Sequence, residues 1–599
     1  MTISDQISIR LEALRTLMIA HQIDAYLVLT SDPHLSEYLP EHWQARRWLT
    51  GFDGSAGTLL VTRHEALLWT DSRYWVQAEQ SLGQSGIQLM KQGDTGVPEP
   101  DGYLQQHLPA GSVLCMDSTV TAITVYEHWQ ALAREQRWTI QEQDALLDDL
   151  WADRPALPTA PVYAHEPPFN CRVRADNFSI LRAQMQTQQV DWHLLSSLDD
   201  IAWLLGLRGS DVAYNPVFLA HFLLGQESAY LFIDEQKLSS GLRQALAADG
   251  VQILAYEQLS QQLAQLPAAQ CLWIDDNAVT AGSVRAARHM SWLRSPNPTT
   301  LLKARKNQQE QAHLRETMVQ DGIALCEFYA WFEQEITQRP VSELEVDEQL
   351  TAARARRAHF ISPSFGTIAG FNANGALPHY QASKEHYSWI EGDGLLLIDS
   401  GGQYLGGTTD ITRVTPVGQV SAAQKRDFSL VLKAMIALSR AVFPAGVSGQ
   451  HIDAIARMPL WQAHLDYGHG TGHGVGYFLN VHEGPQNISW RLRPGRQMVP
   501  LQEGMVSSNE PAVYRAGQWG IRIENLVLVQ PAADNEFGDF YGFETLTLCP
   551  IDTRCIDIDL LDREEIDWLN EYHATVRQQL AAHLKEDALQ WLLARTEPI

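Results

Sequence analysis

Residues 469–485 read HGTGHGVGYFLNVHEGP and set His469, His473 and His482 in a stretch with glycine at every second position from Gly470 to Gly476. Imidazoles so placed can ligate metal or move protons, although a His-Gly run standing alone is equally an exposed loop. Acids elsewhere favour the chemical reading. Asp399 ends the apolar run Leu395-Leu396-Leu397-Ile398, an unusual position for a charge, and Asp410 follows beyond Gly401-Gly402 and Gly406-Gly407. Glu510 lies in SSNEPAVY, just before Pro511, and Glu524 lies in GIRIENLVLV. A single buried Asp is ordinarily a hydrogen-bonded turn residue, and Arg522 and Glu524, two apart on one strand face, also fit an ion pair. Two acids on neighbouring strands, however, repel unless a cation or a proton intervenes. Asp399, Asp410, His473, Glu510 and Glu524 make four carboxylates and one imidazole, a donor set that suits Mn²⁺ and accepts Co²⁺ or Zn²⁺. Five ligands exceed one closed zinc site and fit two divalent ions per chain, ~3.5–4 Å apart, sharing bridging carboxylates.

The elements that must position these groups are legible. GLLLIDSGGQYLGGTTDITRVTPVG reads as strand, glycine turn, strand, which sets Asp399 and Asp410 side by side, with Cβ atoms ~5 Å apart if paired. SAAQKRDFSLVLKAMIALSRAVF reads as a helix begun by a Ser421 N-cap and ended at Pro444 and Gly446. A second helix, HIDAIARMPLWQAHL, leads into the histidine stretch. In GIRIEN, Arg522 and Glu524 share one face while Ile521, Ile523 and Val527 take the opposite, buried one. Strands mixed with helices indicate an α+β domain. The charged segment from Leu301 to Ile336 reads as one long helix opening this third part.

The first three hundred residues carry a degenerate repeat. Trp48-Leu49-x-Gly51-x-x-Gly54-Ser55 returns as Trp203-Leu204-x-Gly206-x-x-Gly209-Ser210, 155 positions later. Each copy follows a helical pattern running into an apolar strand, so two related α/β domains are expected. Between them RPALPTAPVYAHEPPF holds Pro155, Pro158, Pro161, Pro167 and Pro168 and reads as a linker. A second break falls near SPNPTT, residues 295–300.

At 599 residues the chain exceeds one hydrophobic core. Its 71 acidic and 44 basic residues give a formal charge of −27, which repels phosphate backbones and argues against a nucleic-acid partner. Neither a membrane-length apolar run nor a secretion signal is evident. Six scattered cysteines lack metal-type or disulfide spacing, which places the protein in the cytoplasm with reduced thiols.

Taken in order, RRxxxGFDGSAGT, WTDxRYxxQA, IAWLxxLRGSDVxxNPVF, GTTDxTR, HGTGHGVGxFLNVHEGP, GIRIEN and WLNEYH resemble the three-domain aminopeptidase P branch of the pita-bread metallopeptidases. The resemblance covers essentially the whole chain. His473 and His482 stand nine apart, matching the three-domain form rather than shorter prolidase-like relatives. It implies two creatinase-like N-terminal α/β domains, residues 1–155 and 156–308, followed by a pita-bread α+β catalytic domain with a C-terminal extension, residues 309–599. It also implies hydrolysis of the bond between an N-terminal residue and a following proline. Asp399, Asp410, His473, Glu510 and Glu524 then bind two metals, usually manganese. Glu510 moves the water proton, and His482 or His379 holds the oxyanion. His469 orients substrate or a ligand, while Arg73, Tyr514 and Arg522 fall at substrate-contacting or supporting positions. The implied partners are proline-containing peptides and a second copy of the chain, with no nucleic acid and no membrane. Two departures stand out. The usual Asp-Glu-Pro-Gly becomes Asn509-Glu510-Pro511-Ala512, where alanine adopts a positive φ less easily than glycine, and Pro378 precedes His379.

Overall fold

The repeated Trp-Leu-x-Gly pattern closes a helix in both halves of the first three hundred residues. Helix Ala45–Thr50 ends at Gly51 with φ 71°, and helix Leu198–Leu205 ends at Gly206 with φ 64°, each in the left-handed conformation that glycine adopts without a Cβ penalty. The computed structural model describes residues 2–142, 146–491 and 497–599. Its chain divides into two compact units, Met1–Glu166 with Arg172–Thr299, and Thr300–Ile599 with Pro167–Cys171.

The first unit holds two six-stranded sheets with the same strand order. One runs Gln88–Lys91, Ala66–Thr70, Thr58–Thr62, Ala25–Leu29, Val113–Met116 and Thr139–Glu142. The other runs Val251–Leu254, Ala229–Phe232, His221–Gly225, Trp192–Leu195, Cys271–Ile274 and Ser291–Arg294. In both, the fourth strand of that order, Ala25–Leu29 or Trp192–Leu195, is flanked by one antiparallel and one parallel neighbour. The expected pair of related α/β folds is what the chain forms.

The second unit is α+β. Strand Gly394–Ser400 lies between Ile368–Phe371 and Ile411–Val417, antiparallel to both. Both of its faces are covered: Leu395 and Leu397 join one apolar cluster, and Leu396 and Ile398 another. That explains a continuous rather than alternating apolar run. Each such leucine contributes about 1.5–3 kcal/mol by leaving water, stabilisation that offsets burying the acid at the strand's end. Helices Ala422–Ser439 and Gly449–Gln462 pack together, the first capped by Ser421 as the sequence requires. It stops at Ser439, four residues before the proline-containing strand Phe443–Pro444.

The expected single helix after the second break is two. Pro298–Ala304 and Gln308–Glu335 are separated at residues 305–307, where the Asn307 side chain accepts from the amides of Gln309 and Glu310 and starts a new helix with a capping box. The break serves the fold. Lys306, exposed at 2 %, sends its ammonium to the Val475 carbonyl at 2.6 Å and Glu483 Oε1 at 2.9 Å, tying the histidine loop to the unit's first turn.

Candidate metal centre

Asp399 continues the parity of Leu395 and Leu397 and so faces the same side of its strand. Its cross-strand partner is Thr412. Asp410, just ahead of strand Ile411–Val417, is therefore the diagonal neighbour of Asp399 and not its direct partner. A short hairpin, Gly402–Tyr404 with Gly407–Thr408, fills the expected glycine turn. It also grips the histidine loop, since Gln403 Nε2 donates to the Leu479 carbonyl at 2.7 Å.

Glycine at alternate positions of that loop permits close backbone passage. A Cβ at Gly472 would overlap the Ser508 carbonyl, and one at Gly474 would overlap the Glu483 carbonyl. Gly472–His473 pairs with Asn487–Ile488 as a two-residue strand. The His473 amide donates to Ser508 Oγ at 3.0 Å, and Ser508 Oγ donates to Glu510 Oε1 at 3.0 Å. With His473 Nδ1–H given to the Gly474 carbonyl at 3.0 Å, Nε2 is the nitrogen turned to the acids and the one a metal would take. That nitrogen lies 3.5 Å from Asp410 Oδ2 and 3.4 Å from Glu510 Oε1.

Glu524 follows strand Trp519–Arg522 and is 1 % exposed. Ligand atoms of Asp410, His473 and Glu524 all lie within 4.8 Å of one another. Thr412 Oγ1 donates to Glu524 Oε2 at 2.8 Å. Arg522 pairs with Asp399 Oδ2 rather than with Glu524, and also donates to Thr412 Oγ1 and to the Tyr514 hydroxyl. Asp399 Oδ1 stays buried with no hydrogen-bond partner among the described residues.

Charge makes the same demand. Burial, then the charges of Asp399 and Glu510, push the Asp410 carboxyl well above its ordinary range. Burial, then Asp410, Asp399 and Glu510, do the same to Glu524. Burial raises Glu510 to about 7, with Arg522 opposing and Asp399 reinforcing. Acids crowded in this way hold protons unless a cation neutralises them. Four carboxylates, the His473 imidazole and an orphaned buried oxygen of Asp399 fit divalent metal, and their number fits two ions better than one.

The remaining predicted residues divide. His482 is half-buried and edge-on to His473, with ring centroids 4.2 Å apart. His469 gives Nδ1–H to the Gly470 carbonyl at 2.7 Å and turns Nε2 to the Tyr514 hydroxyl at 3.0 Å, so Tyr514 links His469 to Arg522. Burial raises Tyr514, which therefore stays a phenol. His379 is half-buried beyond the turn Asn372–Ala376, whose neighbours Asn374, Tyr380 and Ser388 all bond buried Glu343. Arg73 lies in the first unit, where its guanidinium makes a two-point pair with Asp71. The two sequence departures are accommodated: Ala512 sits in a strand opposite Arg522 and is not among the positive-φ residues. Asn509 turns its amide to the Met435 carbonyl and Ser439 Oγ of the neighbouring helix.

Sequence reading missed the supports. Thr412, Ser508 and Lys306 carry no motif of their own, though the strand parity after Asp410 points to Thr412. Asp453 and Arg457, buried on one helix face four residues apart, also escape notice. Arg457 donates to the carbonyls of Tyr467 and His469, while Asp453 accepts from Thr471.

Comparison with known proteins agrees with the geometry. The profile of metallopeptidase family M24 matches residues 312–531, and that of its C-terminal region matches 539–599. Two creatinase/prolidase N-terminal domain profiles match residues 10–150 and 153–310. A probable Xaa-Pro aminopeptidase P of Laccaria bicolor is 38% identical over 98% of this chain and 93% of its own length. Aminopeptidase P2 of Arabidopsis thaliana is 37% identical over 96% of this chain and 86% of its own. An X-prolyl aminopeptidase from Caenorhabditis elegans, described as a cytosolic enzyme with a di-nuclear active site, superposes with a TM-score of 0.94 at 31% identity, covering 99% of this chain and 100% of that one.

Proposed function

This chain belongs to metallopeptidase family M24, in the branch of the aminopeptidase P proteins, and on that premise we propose that it releases the N-terminal residue from peptides with proline second. The observation that carries the reading is the cluster of Asp410, His473 and Glu524, with Glu510 3.4 Å from His473, Asp399 close enough to shift Asp410 and Glu524, and a buried oxygen of Asp399 unpaired. These five residues would hold two divalent ions, Mn²⁺ first and Co²⁺ or Zn²⁺ as alternatives. When bound, such a pair would lower the pKa of a coordinated water to about 7 and polarise the scissile carbonyl.

The side chains supply the rest. The Glu510 carboxylate, steered by Ser508, takes the water proton and later passes it to the leaving nitrogen. His482 or His379 donates a hydrogen bond to the tetrahedral oxyanion. His469, fixed by Tyr514, orients the substrate. Arg522 fixes Asp399 and balances the acidic cluster. Arg73 is proposed as a substrate contact from its motif alone. A prolyl amide nitrogen offers no N–H, so selection must rest on ring shape.

Purified protein given Mn²⁺ should cleave Ala-Pro-Ala between the first two residues and act on it in preference to Ala-Pro. Strict preference for the dipeptide would instead indicate a prolidase.

The proposed assembly is a homodimer through the second unit. Met458 at 52 %, Trp461 at 43 % and Trp490 at 50 % exposure are large apolar side chains left in water on that unit, and Trp461 is proposed as part of the contact. Trp461→Glu should convert a two-chain mass to a one-chain mass in sedimentation; an unchanged mass rejects this surface. A cytoplasmic location is proposed from six cysteines that form no disulfide among the described residues. No helix among the described residues is long and apolar enough to cross a membrane, and the charge of −27 argues against nucleic acid.

A further inference from the structure

We propose that the C-terminal region governs how tightly the metal centre holds its ions, through a clamp in which Tyr572 fixes Arg413 and Arg413 fixes Glu524. The inference rests on the metal-binding reading above.

Glu524 is positioned almost entirely by two consecutive residues of one strand. Its amide donates to the Thr412 carbonyl at 3.2 Å, and its Oε2 accepts from Thr412 Oγ1 at 2.8 Å. Its own carbonyl accepts from Arg413 Nη1 at 2.6 Å. Arg413, exposed at 3 %, has no freedom of its own. Nη1 also bonds the Thr412 carbonyl at 2.9 Å, and Nε bonds the Pro550 carbonyl at 3.1 Å. Nη2 faces Asn525 Oδ1, the Cys549 carbonyl and the Tyr572 hydroxyl, each at 2.8 Å. Every one of these partners is neutral. The guanidinium therefore acts as a rigid fork that ties three chain segments together rather than as half of an ion pair.

Two of those segments lie beyond the ligand set. Tyr572 stands on helix Arg563–Leu580, stacked on Trp568 with the rings 9° from parallel. Its hydroxyl also reaches the carbonyls of Thr547 and Cys549 at 3.0 and 2.8 Å. The neighbouring His573 accepts the Ile551 amide at 3.1 Å, pinning the same 549–551 stretch that lines the fork. The WLNEYH block thus acts on the ligand through Cys549, Pro550 and Arg413. Arg413 and Tyr572 are positioning residues, because neither bears on a reacting atom. Outer partners of a metal ligand ordinarily change affinity about 10–100-fold when removed.

The test is calorimetric titration of Mn²⁺ into metal-free full-length protein, with the unfolding temperature of each metal-free variant measured alongside. Tyr572→Phe should bind Mn²⁺ about tenfold more weakly, and Arg413→Lys more weakly still, since an ammonium cannot fill the fork. Tyr103→Phe, which removes a tyrosine hydroxyl bonded to Glu65 in the first unit, should leave Mn²⁺ affinity as in the wild type. If Tyr572→Phe lowers the unfolding temperature yet keeps wild-type Mn²⁺ affinity, the region only stabilises the fold and the inference is overturned. If the wild-type protein itself takes up no Mn²⁺, the metal-binding reading fails first and the clamp falls with it.

Discussion

Replacing Asp399 by alanine should empty the metal centre and abolish peptide cleavage together. The carboxylate occupies both sides of the site's charge balance. Oδ2 receives the Arg522 guanidinium, and Oδ1 is buried without a hydrogen-bond partner among the described residues. Leaving a buried carboxylate oxygen unmatched is costly, and a cation bound there would relieve that cost. Alanine removes that oxygen and also leaves Arg522, itself 2 % exposed, without its ion-pair partner. The expected loss in metal affinity exceeds the roughly 10–100-fold that follows loss of an outer partner. Elemental analysis of the purified variant measures the first effect and peptide hydrolysis the second, with circular dichroism as the check on folding. An Asp399→Ala protein that keeps full metal and full turnover would remove Asp399 from the ligand set.

Glu510→Gln should spare the fold and cost about 10²–10⁴ in turnover, the range of a general base. The side chain is nearly isosteric, and its backbone amide still donates to the Thr471 carbonyl at 2.8 Å. Ser508 Oγ can still donate to the amide oxygen. What glutamine cannot do is accept the proton of the attacking water. Burial, opposed by Arg522 and reinforced by Asp399, raises the Glu510 carboxyl to about 7. Steady-state kinetics at saturating Mn²⁺ separates this loss from weakened metal binding. Turnover within tenfold of wild type would show that another group moves the proton.

The proposed ligands were legible in part because several break a local rule. Asp399 ends an apolar strand, Asp410 follows a double-glycine turn, and three histidines sit among glycines where a helix is unfavourable. The repeat was legible because a glycine in the left-handed region closes a helix the same way at Gly51 and Gly206. What could not be read was register and reach. The intervening hairpin sets Asp399 opposite Thr412 rather than Asp410. Arg522 turns to Asp399, 123 positions away, although Glu524 is two positions distant. The apparent long helix breaks at 305–307, where Lys306 turns to the Val475 carbonyl and Glu483 of the histidine loop. Such pairings are decided by tertiary packing, and no window of sequence contains both partners.

The most direct test strips the purified protein with a chelator, removes the chelator, and follows Ala-Pro-Ala cleavage as Mn²⁺ is added back. The stripped protein should be inactive and should regain activity as two equivalents of metal bind per chain. Cleavage at full rate without metal, or metal uptake that restores none, would contradict a peptidase centre built from these five residues.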